Sequence, residues 1–373
     1  MGHQHRLRGL PGGGHHHGLG TPVESGGVTA RNITIREATR ADEDRWNRFL
    51  GRCPNGNFYL RYEWVRINQR ELGHPSICLM AEEEGEVVGV FPMTRVRSRL
   101  FGDILASMPF VNLGGPAAGD PEVEAHLLEA ALQRADGLGC DYLEIRSDRP
   151  LGELATKTHK VSMTIPLSED PNVVWESFTS KHRKNIKRAY RNELRVEAGG
   201  VELLDDFYRV MEQGWRSLGT PLYRKSYFRA VVEEFGRDAL LFVAYHKGEP
   251  VATALTGCFG TRLEGMWAAG APARSDLWAN YVLYWEMIER ACKLGFRHFH
   301  LGRSTAGSGA ARFKARWNAE PEQLFWNYHL VQKEGIPELN PDNPKFDLAM
   351  RTWRKLPLPA TRILGPRLAR LLP

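Results

Sequence analysis

The sequence predicts a mixed α/β (α+β) chain of two tandem units, each a mostly antiparallel mixed sheet flanked by helices. Three observations carry this. The stretch from Gly265 to Trp326 reads as strand, helix, strand, short helix, strand. The first half shows a similar order: a turn of charged residues and Gly joins two strands, then a strand, a long helix and another strand follow. A length of 373 residues accommodates two domains with full hydrophobic cores.

Residues 1–30 are rich in Gly and His without periodicity and read as a disordered tail, with His15-His16-His17 part of it rather than a metal site. In the first unit, 31–160, a strand is expected at Ile33 to Ala38 and helices at Asp42 to Leu50 and Glu63 to Leu72. Strands at Ser76 to Glu82 and Glu86 to Arg97 flank the turn Glu84-Gly85-Glu86. A strand near Ile104 to Pro109, a helix from Pro121 to Leu138 and a strand at Tyr142 to Arg146 complete it. In the second unit, 161–335, helices fill Val173 to Glu193, Leu204 to Ser217 and Lys225 to Phe235. A hairpin joins Leu240 to Tyr245 with Pro250 to Cys258 through His246-Lys247-Gly248-Glu249.

After the strand Gly265 to Gly270, the helix Trp278 to Leu294 carries Tyr281, Tyr284, Trp285, Ile288, Ala291 and Cys292 at spacings of three and four, one broad apolar stripe ending at Gly295. A strand at Arg297 to Leu301, a Gly-rich loop from Gly302 to Gly309, a helix from Ala310 to Trp317 and a strand at Gln323 to Leu330 follow. A strand that splays from its neighbour where a helix begins offers free N–H groups and a positive helix end, suited to a pyrophosphate or an activated carbonyl. The tail 336–373 is basic, and its prolines exclude one long membrane helix.

Apolar content of 42% with 25% charged residues fits a globular protein. No apolar run nears the roughly 18 residues that span a bilayer, and no secretory signal is visible. The five cysteines are scattered without any CxxC, against a disulfide scaffold or zinc site and in favour of a reducing, cytoplasmic setting. The net charge of +6 concentrates in Lys181 to Arg195 and in Arg351 to Arg370. Such patches attract phosphates, nucleic acid or an anionic membrane face, and they also occur as plain solvated helix faces.

Several segments, taken in order, resemble the FemAB/FemX family of tandem GNAT-fold transferases: Ser180 to Ala189 (SKHRKNIKRA), Gly219 to Phe228 (GTPLYRKSYF), Ala279 to Ile288 (ANYVLYWEMI), and Leu301-Gly302 followed by Phe313-Lys314. Trp353 to Pro359 with Leu364-Gly365-Pro366 resembles the FemAB-like subgroup associated with bacterial exosortase (PEP-CTERM) and exopolysaccharide systems. The resemblance implies two GNAT-like domains. It also implies transfer of an acyl or aminoacyl group to an amine of a cell-envelope or exopolysaccharide precursor, in the cytoplasm. It implies no tightly bound cofactor; the co-substrate is aminoacyl-tRNA or acyl-CoA. An acyl-CoA dependent N-acetyltransferase and a non-catalytic GNAT-fold binding protein remain the alternatives.

Acyl transfer to an amine needs a deprotonated nucleophile, a path for its proton and donors aimed at the oxyanion. It needs no nucleophilic side chain, in keeping with the absence of a G-x-S-x-G motif. By resemblance, Lys314 matches a family lysine near the donor's phosphates or the reacting carbonyl, and Arg303 converges on it across the Gly-rich loop. Asn280 and Tyr281, at the start of their helix, face the reacting ester, although Tyr281 reads equally as a core aromatic. Ala268 stands where some relatives carry a tyrosine. Lys184 and Lys187 would bind donor phosphates, tRNA included. Arg66, Trp64, Tyr223 and Arg224 would bind the acceptor: Arg66 aligns with a phosphate-binding lysine, Tyr223 or Arg224 with its partner arginine, and Trp64 reads also as core. The basic tail suggests peripheral contact with anionic lipid at the inner membrane face.

Overall fold

The computed structural model describes residues 31–99, 101–336 and 344–372. The expected tail 1–30 and its His15-His16-His17 run lie outside the described residues. The first half runs β1 (Ile33–Glu37), α1 (Glu43–Leu50), α2 (Tyr62–Ile67), β2 (Ser76–Glu83), β3 (Glu86–Ser98), β4 (Gly102–Ala106), β5 (Ala117–Ala118), α3 (Pro121–Leu138), β6 (Tyr142–Ser147) and β7 (Ala155–Pro166). Next come α4 (Pro171–Ser177), α5 (Ser180–Tyr190), β8 (Leu194–Gly199), α6 (Leu204–Leu218), α7 (Lys225–Phe235), β9 (Ala239–His246) and β10 (Glu249–Phe259). The chain continues through β11 (Arg262–Gly270), α8 (Ala279–Lys293), β12 (His298–Thr305), α9 (Gly309–Ala315), β13 (Glu320–Leu330), α10 (Pro344–Lys355) and α11 (Leu358–Ala369).

Most expected elements are present, and the departures have local causes. The helix expected from Val173 to Glu193 is two helices. Phe178 is extended and the Thr179 side chain accepts from the His182 amide, so a β-branched hydroxyl residue caps a new helix instead of continuing the old one. The strand expected to end at Leu301 runs to Thr305, which shortens the Gly-rich loop to the turn before α9. Strands β7 and β8 have no counterpart among the expected elements. Within the basic tail, two short helices, α10 and α11, pack on α6, with Trp353 buried and Arg362 paired to Glu212.

All the strands form one sheet in the order β1-β2-β3-β4-β6-β13-β7-β12-β11-β10-β9-β8, with β5 beside β3. Strand β13, late in the chain, lies between β6 and β7, and β7 in turn pairs with β12. The two halves therefore exchange strands at the centre of the sheet. The boundary expected at residue 160 falls inside β7, and Ile33 to Pro373 form one compact unit. The outer face of the first half is covered by α3, which buries Val123, Leu127 and Ala131. That of the second half is covered by α4, α5, α8 and α9. Between the halves, α1, α2, α6 and α7 bury an aromatic core including Trp46, Trp64, Phe228 and Trp267.

Candidate active site

Strands β11 and β12 are parallel neighbours over only three pairs, Arg262 with His298, Leu263 with Phe299 and Glu264 with His300. Beyond these they part, and a bulge on each strand helps build the opening. On β11, Gly265 and Trp267 face the consecutive residues Thr256 and Leu255 of β10, which leaves Met266 as the extra residue. On β12, Leu301 and Gly302 lie where β7 has Met163 alone. Gly302 takes φ +73, and a Cβ there would lie 2.9 Å from the Gly265 carbonyl oxygen and 3.2 Å from the Asn112 amide nitrogen. Only glycine fits.

Because side chains alternate faces, one extra residue reverses the facing of every later residue in the strand. Arg303 pairs with Ser162 and so shares the face of His300, away from Phe299, Leu301 and the α8 layer. Lys314 approaches from the α8 side. Its helix α9 is too short to be stable alone and is held by aromatic packing: Phe313 lies 5.4 Å from Tyr284, and the fully buried Trp317 stacks on Tyr284 at 5.6 Å. Thus positioned, the Lys314 ammonium donates to the carbonyl oxygens of Gly302 at 2.9 Å and Arg303 at 3.1 Å, where the bulge interrupts the ladder. Burial, reinforced by the charge of Arg303, brings its pKa down from 10.5 to about 8.

On the other face Arg303 points toward the first half. It donates to the Val111 carbonyl at 3.3 Å and lies over the Trp326 ring, which also carries Arg146. Burial and then the charge of Arg146 lower the Arg303 pKa to about 10. The nearby carboxylate, Glu144, is already engaged by Arg146 and by the Tyr328 hydroxyl. Beside this cluster opens a cleft of about 400 Å³ lined by Tyr59, Asn112, Glu264, His300, Glu322 and others. Within it the His300 Nδ1 lies 3.0 Å from Glu264, the Tyr59 hydroxyl donates to the other Glu264 oxygen at 3.2 Å, and the Asn112 amide donates to Tyr59 at 2.8 Å. Burial alone would lower the His300 pKa, but the hydrogen bond and charge of Glu264 outweigh it and the net shift is upward.

The sequence-predicted residues divide between the two faces. Lys314 occupies the opening. Arg303, grouped with Lys184 and Lys187 as donor-binding, is on the opposite face of the sheet from them, because the Gly302 bulge turns it round; this corrects the grouping. Lys184 and Lys187 are exposed on α5, where Arg183, Arg188 and Arg191 join them along a shallow groove. Arg188 covers the Trp278 ring at 4.7 Å, so this basic face reaches the first turn of α8. There Asn280 is exposed against Gly270, the last residue of β11. Tyr281, partly buried, packs among Trp278, His182, Phe313 and Trp317.

The four acceptor candidates do not converge. Arg66 is held by Glu43 at 3.0 Å and Glu234 at 2.8 Å, which neutralises it and ties α2 to α7. Trp64 is fully buried, donates to the Phe58 carbonyl and packs against Phe58, Phe235 and Trp267, so it cannot touch an acceptor. Arg224 is exposed. Tyr223 is buried among Phe110, Tyr227, Phe228 and Trp267, and of the four it is the one that feels the charge of Arg303. Sequence reasoning missed Glu264, His300, Tyr59 and Asn112. The alternation His298, Phe299, His300, Leu301 was a readable sign that two histidines share one face of a strand. Nothing local signalled Tyr59, 205 positions from its partner Glu264.

Residues 180–315 match the acetyltransferase (GNAT) domain family. No curated protein matches the sequence. Among solved structures, FemX superposes with a TM-score of 0.63 at 16% identity, covering 80% of this chain and 98% of that one. L-PGS from Bacillus licheniformis gives 0.54 at 14% identity over 89% of this chain and 97% of that chain. A tandem GNAT protein from the clavulanic acid biosynthesis pathway gives 0.51 at 10% identity over 82% and 100%. With β11 and β12 parted around Lys314 and a second, strand-exchanged unit beside them, the chain has the tandem GNAT-like fold.

Proposed function

We propose that this protein transfers an acyl or aminoacyl group from an activated ester or thioester to an amine of a cell-envelope or exopolysaccharide precursor, by direct attack without a covalent enzyme intermediate. The observation that carries the reading is Lys314 in the opening between β11 and β12, with a basic surface on one side of the sheet and a cleft on the other. The donor's phosphates lie along Lys184, Lys187 and Arg188 toward the first turn of α8, where N–H groups and the helix dipole add positive potential. Its carbonyl enters the opening, and the Lys314 ammonium faces the developing oxyanion. Arg303 holds an anionic part of the acceptor. Arg303 is a half-buried guanidinium whose hydrogen bond goes to the neutral Val111 carbonyl, so a phosphate or carboxylate would relieve an uncompensated charge.

Likeness to FemX and L-PGS, together with the basic α5 face, favours aminoacyl-tRNA as donor, with acyl-CoA as the competing co-substrate. The tail motif favours an exopolysaccharide system. Among the described residues no helix is long and apolar enough to cross a membrane. Exposed Leu348, Ile363 and Leu364 on α10 and α11, with Arg351, Arg354 and Arg367 in the same segment, support peripheral contact with anionic lipid at the cytoplasmic face. Thermal unfolding in the presence of charged tRNA, acetyl-CoA and longer acyl-CoAs tests the reading, since a ligand of the native state alone raises the melting temperature. A shift with charged tRNA is expected; a shift with CoA esters alone selects the competing donor, and no shift with either contradicts the proposal.

A further inference from the structure

The cleft on the acceptor side contains a hydrogen-bonded series that the roles above do not use. Asn112 donates to the Tyr59 hydroxyl, Tyr59 donates to Glu264, and Glu264 holds His300 by its Nδ1 at 3.0 Å. Side-chain exposure is 5% for Glu264 and 16% for His300. A carboxylate on Nδ1 fixes the tautomer with the proton on that nitrogen and leaves the Nε2 lone pair available. Strand alternation puts the imidazole on the cleft side, two residues before the Gly302 whose carbonyl binds Lys314. A base oriented by a third group next to a site for an activated carbonyl is the arrangement that proton removal from a nucleophile requires.

We propose that the acceptor amine enters through this cleft and that His300, oriented by Glu264 and Tyr59, is the general base that takes its proton. This rests on the acyl-transfer reading above. The neutral amine nitrogen attacks the acyl carbonyl, forming the C–N bond while the carbonyl π pair moves to oxygen opposite Lys314. The nitrogen, now positively charged, gives its proton to His300 Nε2. The oxyanion re-forms the carbonyl and expels the donor's alkoxide or thiolate, which takes up that proton, so amine plus ester gives amide plus alcohol or thiol. Glu264 and Tyr59 are positioning residues.

Around His300 stand Glu264 and Arg262 from β11, Glu322 from β13, Asp148 beyond β6, Tyr59 from the first half, and His298 and Arg303 from its own strand. Glu264 and Glu322 favour the imidazolium and Arg262 opposes it.

The test uses the full chain with radiolabelled aminoacyl-tRNA or acetyl-CoA as donor and glycinamide as acceptor, followed across pH. Per neutral glycinamide, the wild-type rate should rise with pH through a midpoint above the ordinary histidine value of about 6.5 and fall again near pH 8, where Lys314 loses the proton that faces the oxyanion. His300→Gln should lower the rate by about 10²–10⁴-fold and abolish the rising limb alone, with the melting temperature and its donor-induced shift retained. Tyr59→Phe keeps the ring in the core and removes only the hydroxyl, so it should move the midpoint without abolishing the limb. Wild-type transfer with an unchanged rate and limb in His300→Gln overturns the base assignment and leaves the functional reading standing. A wild type that transfers from neither donor overturns both.

Discussion

Lys314→Met separates chemistry from folding, because the side chain keeps its length and loses only the ammonium. Burial, with the charge of Arg303 added, brings this amine from a pKa of 10.5 to about 8. At about 1.4 kcal/mol per tenfold change in proton affinity, the fold disfavours the charged form by about 3 kcal/mol. Against this stand the hydrogen bonds to Gly302 and Arg303, together about 2 kcal/mol. The sign comes from linkage. The unfolded amine keeps its proton to pH 10.5 and the folded one only to about 8, so the penalty is full below pH 8 and fades as pH rises between these values. Methionine should therefore leave stability unchanged or raise it by about 1 kcal/mol at pH 7, and lower it by about 1 kcal/mol at pH 10. Urea unfolding of both proteins at the two pH values reads the swing. A wild-type minus variant difference that is flat with pH refutes the desolvated seat described for the Lys314 amine.

Packing and charge give three further expected outcomes. Arg66→Ala should cost roughly 1–3 kcal/mol in urea unfolding, by leaving Glu43 and Glu234 without their shared cation, while turnover of the folded protein stays unchanged; a selective loss of acceptor affinity would restore its binding role. Tyr284→Ala removes the ring on which Trp317 and Phe313 rest and should lower stability by roughly 3 kcal/mol, a melting-temperature effect first and a kinetic one only through the loosened α9. Replacing Lys184 and Lys187 together by Ala should weaken charged-tRNA binding and reduce the slope of log affinity against log salt by roughly one to two. An unchanged salt slope would remove α5 from the donor path.

The extent to which the sequence was legible tracks the range of the interactions. Helices with caps and stripes, such as Pro121 to Leu138 behind Asp120, are decided within a few residues and were readable. Strand β7 was not, because its first half, Ala155 to Lys160, is polar and only Val161, Met163 and Ile165 alternate into the core. Its partners are β12 and β13, far along the chain, and no local pattern encodes that exchange. Lys314 was identified by resemblance and the structure gives it a defined seat. Arg303 was expected on the donor side, and the Gly302 bulge turned it round; one inserted residue is nearly invisible in a sequence yet reverses a face. Arg66 and Trp64 matched a pattern while serving an ion pair and a core. The Glu264 and His300 pairing, completed by Tyr59 and Asn112 from the other half, exists only once the sheet is assembled.

The most direct test of the central claim is single-turnover transfer from radiolabelled aminoacyl-tRNA and from acetyl-CoA to glycinamide, wild type against Lys314→Met at pH 8. The wild type should form the amide with one of the two donors, and the variant should be slower by about 10²–10³-fold with an unchanged donor-induced melting shift. Equal rates in the two proteins would contradict an acyl-transfer centre at the parting of β11 and β12.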